Sequence, residues 1–277
     1  MDIIHYEKDL NIENNNDREK YIGKIFKNKL FGEYIVLGVY DNLGNRTGNK
    51  RYIVKFLDTG FETLALGHHI LKGAIKDNLK PIIYNNGYFG YIDNVKHNPF
   101  YRVWMSMLQR CYDEKLHKKE ESYKNCIVDE KWKCFQLFLE DIPSLLGYDY
   151  IDKYKDIKFQ LDKDIKFDTK TYNLDSCIFI PQKINNFFTN EQKTNTTGFS
   201  GVSYKKSNEK YVAYTNRNGK KIHLGYFNDA LEAYNTYMNN KKIILEDYLN
   251  EFNFLGDEIK KYCRDKLARQ YSSTVDF

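Results

Sequence analysis

Residues 198–245 place the tightest constraint on this chain: three short β-rich runs in quick succession, followed by an amphipathic helix. Residues 199–204 read as a first strand, and 210–215 as a second after a turn over 205–209. Residues 220–227 read as a third after Asn216-Arg217-Asn218-Gly219, and Asn-Gly is a strong signal for a tight hairpin. Asn228 or Asp229 then caps a helix on which Ala230, Ala233, Tyr234 and Tyr237 share one face. A sheet this small must bury one face against its helix and leave the other open. The pattern assigns Val202, Val212, Ile222 and Leu224 to the buried face. The exposed face and its turns take Tyr204, Lys205, Lys206, Lys210, Tyr211, Tyr214, Arg217, Lys220 and Lys221, opposed only by Glu209. Such a surface suits DNA: cations hold phosphates, and Arg, Asn or Tyr side chains reach base edges in a major groove. The plainer reading is a solvated face on a packing module.

The rest of the chain organises around this module. Residues 1–20 are polar and Asn-rich and read as a flexible arm. Residues 21–96 read as a small β-rich domain, with strands near 34–37 and 52–56 and turns at 42–45 and 58–60; strands at this spacing predict a small SH3-like barrel. Asp58-Thr59-Gly60 matches the aspartic-protease triplet, but that chemistry needs two aspartates sharing a proton, and a single copy at a turn reads as turn chemistry. Residues 97–192 are mainly helical. Tyr101, Trp104, Leu108 and Cys111 mark one amphipathic helix, and Trp132, Phe135, Phe138 and Leu139 a second that stops near Pro143. A turn and strand follow over 172–180, then a helix after Pro181. Residues 191–197 are a polar hinge, and 246–277 a charged helical tail. The class is α+β.

Several functions are excluded early. No apolar run is long enough to span a bilayer, and the first residues lack the pattern of a secretory signal. Five scattered cysteines with no CxxC pair predict reduced thiols and a cytoplasmic location. Cys111, Cys126, Cys134, Cys177 and His117 match no zinc-finger spacing and read as core thiols. The net charge of +5 permits nucleic-acid binding without requiring it.

Within 196–245, Gly201-Val202-Ser203-Tyr204, Tyr211-Val212-Ala213, His223-Leu224-Gly225-Tyr226-Phe227 and Glu232-Ala233-Tyr234 resemble the Apetala-2/ethylene-response-factor DNA-binding domain. The resemblance implies a three-stranded sheet in the major groove of double-stranded DNA with a helix behind it. The plant domains carry more Arg and Trp on the sheet. Lys and Tyr in their place imply affinity with little sequence discrimination, because lysine does not fork onto guanine.

Upstream, Tyr101-Arg102-Val103-Trp104, Arg110-Cys111-Tyr112, Asp129-Glu130-Lys131-Trp132, Leu161-Asp162-Lys163-Asp164, Tyr172-Asn173-Leu174-Asp175-Ser176-Cys177 and Asn185-Asn186 are similar to phage HNH (His-Me finger) homing endonucleases. That family implies a hairpin and helix holding one divalent metal. Its Asp and Asn bind the metal, and a His beside the Asp deprotonates water. The pattern lays Asp162 and Asn185 on the metal positions and Lys163 on the base. Lysine is protonated near neutral pH and repels a cation, so the resemblance implies a degenerate, inactive centre with no cofactor.

The expected function is therefore that of a DNA-binding protein of phage or mobile-element origin with an inactive HNH-like domain. Two alternatives stand beside it. One is an active nicking endonuclease using Asp162, Asn185 and Mg²⁺ with another base. The other is a nuclease-derived interaction protein that inhibits a host defence protein. The tail residues Leu249, Phe252, Leu255, Ile259, Tyr262 and Leu267 need either the chain's own core or a second subunit, which would make a homo-oligomer.

Overall fold

The computed structural model describes residues 19–40, 51–189 and 197–275. The arm, the turn expected at 42–45 and most of the 191–197 hinge lie outside the described residues. The chain divides into two compact units: the residues up to Asn98 with Cys134–Gln136, and the remainder.

In the first unit, β1 (Ile25–Asn28), β2 (Gly32–Tyr40), β3 (Arg51–Phe56) and β4 (Glu62–Leu66) form one antiparallel sheet in sequence order, followed by α1 (Gly67–Leu71). The predicted barrel is not closed: β1 and β4 are the two edges. After β4 the chain turns into α1, and Ile70 enters a core with Tyr34, Val36, Val54, Phe56 and Phe61. The helix caps the apolar face that a barrel would have wrapped. The Tyr34 hydroxyl donates to the Ile70 carbonyl at 2.7 Å, so the buried phenol is satisfied. Asp58-Thr59-Gly60 lies in the turn between β3 and β4, and Thr59 Oγ1 donates to the buried Asp77 at 2.7 Å.

After Asn98 come α2 (Tyr101–Tyr112), α3 (Glu114–Lys119), β5 (Ile127–Val128), α4 (Glu130–Lys133), α5 (Phe135–Asp141), whose first two residues belong to the first unit, and α6 (Asp149–Lys153). The single helix expected over 132–139 is thus broken in two at Cys134, which instead forms a strand-like bridge to Tyr88. The aromatic framework is tied by indole N–H groups: Trp104 donates to the Trp132 carbonyl and Trp132 to Asp141, each at 2.8 Å. Next come β6 (Phe159–Asp162), β7 (Thr171–Tyr172), β8 (Ile178–Pro181) and α7 (Gln182–Thr189). β5 pairs with β7 in parallel, and β6 with β8 antiparallel.

The C-terminal part contains β9 (Val202–Lys205), β10 (Lys210–Arg217), β11 (Lys220–Phe227), α8 (Ala230–Glu251) and α9 (Asp257–Val275). The sheet order is β11-β10-β9, and α8 packs on all three strands. Asn218 and Gly219 both take positive φ, 52° and 77°, as the tight hairpin requires. Asp229 caps α8 by accepting from the amides of Leu231 and Glu232. The helix continues past residue 245 to Glu251, so module and tail share one element. Leu249, Phe252, Leu255, Ile259 and Leu267 are all buried in the chain's own core, with Tyr262 packed against it. Among the described residues no helix is long and apolar enough to cross a membrane.

The sheet sits on α8 through a close approach at Gly201. Its φ is +74°, and a Cβ there would lie 2.3 Å from the Tyr237 ring. Gly201→Ala therefore combines overpacking with backbone strain and should destabilise the chain by about 2–4 kcal/mol. Urea denaturation of the full chain checks this; a change within about 0.5 kcal/mol, the scale of a neutral surface substitution, would contradict the packing described.

Candidate functional site

Two surfaces of the second unit carry the residues that the sequence singles out. The first is the element formed by β6, β8 and α7. The β6–β8 register pairs Gln160 with Ile180 and Asp162 with Ile178, and α7 follows β8 directly and packs on both strands. Asn185 lies on α7, buried, and its Nδ2 donates to Gln160 Oε1 at 2.7 Å. Gln160 and Asp162 are two apart on one strand and so share a side of the hairpin, the side that faces α7. The hairpin and helix thus bring Asp162, Lys163 and Asn185 onto one ββα element.

The electrostatics of this centre oppose a divalent metal. Asp162 Oδ1 accepts from the amides of Asp164 and Ile165, each at 2.8 Å, closing the turn after β6. Burial, then the neighbouring Asp164 carboxylate, pushes the Asp162 carboxyl above the usual range, although the two amides and Lys163 pull it down. Lys163 is only 5% exposed; its ammonium pairs with Asp164 Oδ1 at 2.5 Å, donates to the Thr169 carbonyl at 2.8 Å, and lies 5.5 Å from the Tyr172 ring centre. Arg110 reaches the Tyr172 hydroxyl at 3.5 Å and lies within electrostatic range of Asp162. Asn185 Oδ1 is buried without a hydrogen-bond partner, as a ligand oxygen would be. One amide oxygen beside a half-committed, proton-favouring carboxyl and two cations is nevertheless a poor cradle for Mg²⁺. The Lys163 side chain is thus tied to Asp164 and to the Thr169 carbonyl across the 163–172 loop.

The thiols around this centre are equally inert. None of the five cysteines is in a disulfide, and all are buried. Burial pushes Cys111 and Cys177 up to about 12, which keeps both protonated in the working range. Among the described residues no group of three or more His, Cys, Asp or Glu side chains is disposed to hold a metal.

The second surface is the C-terminal sheet, and here the expected faces need correcting. β10 and β11 shift register between Ala213 and Tyr214, because Leu224 is an extra residue in β11. Partners opposite each other project to the same side. On the helix side lie Val202 and Ala213 in the core, with Tyr211, Leu224 and Phe227 packed against them. Tyr204 pairs with Tyr211 on that side, their ring centres 5.1 Å apart. Arg217 also turns that way and pairs with Asp247 of α8 at 2.8 Å. Ile222, expected in the buried face, pairs with Thr215 on the helix side but is exposed and outside the core, and Lys220 pairs with Arg217. Lys206 lies in the turn between β9 and β10. Val212 belongs to the opposite face, paired with Tyr226 and Ser203.

On that opposite face Ser203, Lys205, Asn216, Lys221, His223 and Tyr226 are exposed, Lys210 and Tyr214 half-buried, and Val212 buried. This face presents Lys205, Lys210, Tyr214, Asn216, Lys221, His223 and Tyr226 around Val212, and no acidic residue. Tyr214, His223 and Tyr226 form a row, with ring centres 5.2 and 4.9 Å apart. Lys221 Nζ rests 3.9 Å from the Tyr214 ring centre, and Lys205 Nζ donates to the Tyr226 hydroxyl at 3.2 Å. The sequence reading placed Lys205, Lys210, Tyr214 and Lys221 on this surface and missed Asn216, His223 and Tyr226. Gly225, a glycine inside a strand, is the available signal of the bulge that lets His223 and Tyr226 share that face.

No protein-family profile, curated protein or solved structure matches the chain.

The half-buried Asp162 supplies a direct test of the centre. Its carboxyl is raised in the folded chain relative to the ordinary value of 3.8. Between that value and the folded one, the native state binds more protons than the unfolded state, so this group's contribution to stability falls as pH rises. Asp162→Asn keeps the Oδ1 acceptor and removes the charge. Its stability relative to the parent chain should therefore improve on going from pH 4 to pH 7 in urea titrations. A difference that is constant with pH, or that reverses, would show that Asp162 is not held as described.

Proposed function

We propose that this chain is a DNA-binding protein whose HNH-like ββα centre is retained as framework and does not hydrolyse the strand. The observation that carries the binding half is the open face of β9–β11, where lysines and aromatic side chains gather with no acid among them. Lysine side chains on such a face neutralise phosphates and release counterions. Support for the framework half comes from Lys163, whose ammonium is consumed by Asp164 and the Thr169 carbonyl where a nuclease of this class needs a base. The order of parts, a His-Me-finger-like element followed by an Apetala-2-like module, agrees with a phage or mobile-element origin.

Phosphate neutralisation has a measurable signature. The log–log dependence of affinity on salt should lose about 1.5 from its slope in the Lys205→Ala/Lys221→Ala chain, since each phosphate contact contributes about 0.7–0.9. Fluorescence anisotropy with a labelled oligonucleotide from low to moderate salt measures it, and supercoiled plasmid incubated with Mg²⁺ in parallel should stay intact. An unchanged slope removes this face as the binding surface; nicking abolished by Asp162→Ala overturns the framework reading.

A further inference from the structure

The nucleic acid that fits the open face is an unpaired strand, and we infer that the β9–β11 sheet binds single-stranded DNA by stacking its bases on Tyr214, His223 and Tyr226. This inference rests on the proposed function above and names the form of DNA taken. Three observations converge on it.

The first is the aromatic row itself. Tyr214, His223 and Tyr226 stand side by side across two strands, tilted by 60° and 57° to their neighbours, so they are not stacked face to face on one another. Tyr226 is 43% exposed. Aromatic faces on an open sheet accept any base, because every base has a π-face. In a duplex those faces are hidden within the stack, and only base edges reach the grooves.

The second is the missing reader of edges. Arg217 is the one arginine within residues 197–245, and it is turned to the helix side, paired with Asp247 at 2.8 Å. The cations left on the open face are lysines, which act as point charges and do not fork onto guanine. The face is therefore equipped to hold a backbone and to stack bases, and poorly equipped to read a major groove.

The third is where two of those lysines rest. Lys221 lies over the Tyr214 ring at 3.9 Å and Lys205 against Tyr226, 5.5 Å from its ring centre. A cation on an exposed ring contributes only about 0.5–1 kcal/mol. An arriving strand offers both groups better partners. The base takes the ring face, and the lysine swings onto the adjoining phosphate. One lysine near each end of the row matches a backbone running across the two strands. Val212, 1% exposed, forms the apolar floor beneath.

The test uses the full chain, a labelled twelve-nucleotide oligothymidine and a twelve-base-pair duplex of mixed sequence at the same salt. The single strand should bind at least tenfold more tightly. His223→Ala and Tyr226→Ala should each weaken single-strand binding about 5- to 150-fold, the range that loss of one stacked base gives, and Tyr226→Phe should stay near the parent value. Circular dichroism and a urea transition matched to the parent chain establish that each variant is folded. Duplex binding equal to or tighter than single-strand binding overturns this inference and leaves the proposed function standing. So does a folded Tyr226→Ala chain that binds the single strand at parental affinity. Binding to neither probe overturns both.

Discussion

The apolar stripe of α8 is the contact on which the second unit depends. Ala233, Tyr237, Ile244, Leu245 and Tyr248 lie in one continuous core with Val202 and Ala213 of the sheet, Ile178, Ile180, Ile184 and Phe188 of the ββα element, and Leu255, Ile259 and Leu267 of the tail. Without that stripe the sheet would be three strands with one unsupported face, too small to persist in water. Polar clamps reinforce the same helix. Lys183 of α7 pairs with Glu251 at 2.5 Å and lies 4.5 Å from the Tyr248 ring centre, and Arg264 of α9 makes a two-pronged pair with Glu246 at 2.7 and 2.8 Å. The open sheet face is thereby presented on a rigid support, which is what stacking contacts with a flexible strand require.

In the ββα element the polar side chains are committed to framework contacts. Asp162 serves as the acceptor that closes the turn after β6, Lys163 ties that turn to Thr169, and Arg269 of α9 donates to the Ile165 carbonyl at 2.9 Å. The 163–172 loop is thus held from both sides by cations. Asn185 keeps its amide on Gln160 and its carbonyl oxygen without a partner, a cost of about 1–3 kcal/mol that the surrounding packing offsets.

Much of this was legible in the sequence where local chemistry decides. Asn218-Gly219 located the hairpin, Asp229 the start of α8, and Pro181 the start of α7. The resemblance to HNH endonucleases set Asp162 and Asn185 together, and β6 and α7 carry them on one hairpin-and-helix element. Legibility failed where a single residue changes the period. The hydrophobic pattern puts Val202 and Val212 inside together, whereas the β9–β10 register sets Val202 opposite Ala213 and turns Val212 to the other face; the extra residue Leu224 then brings both Tyr226 and His223 to that face. Arg217 reads as a DNA contact from sequence because its partner, Asp247, lies on a helix 30 positions away. The helix over 132–139 has helical periodicity throughout, yet a tertiary bridge at Cys134 divides it. The SH3-like barrel expected for residues 21–96 is an open sheet because α1, a short helix of weak sequence signal, supplies the cover that closure would have given.

The central claim is that DNA lies across the face of β9–β11 that α8 does not cover. Photocrosslinking the full chain to an oligonucleotide carrying 4-thiothymidine at successive positions, with peptides mapped by mass spectrometry, tests it most directly. The account predicts crosslinks concentrated on the peptides that contain Tyr214, His223 and Tyr226. Crosslinks confined to other peptides, with the β10–β11 hairpin unlabelled, would contradict it.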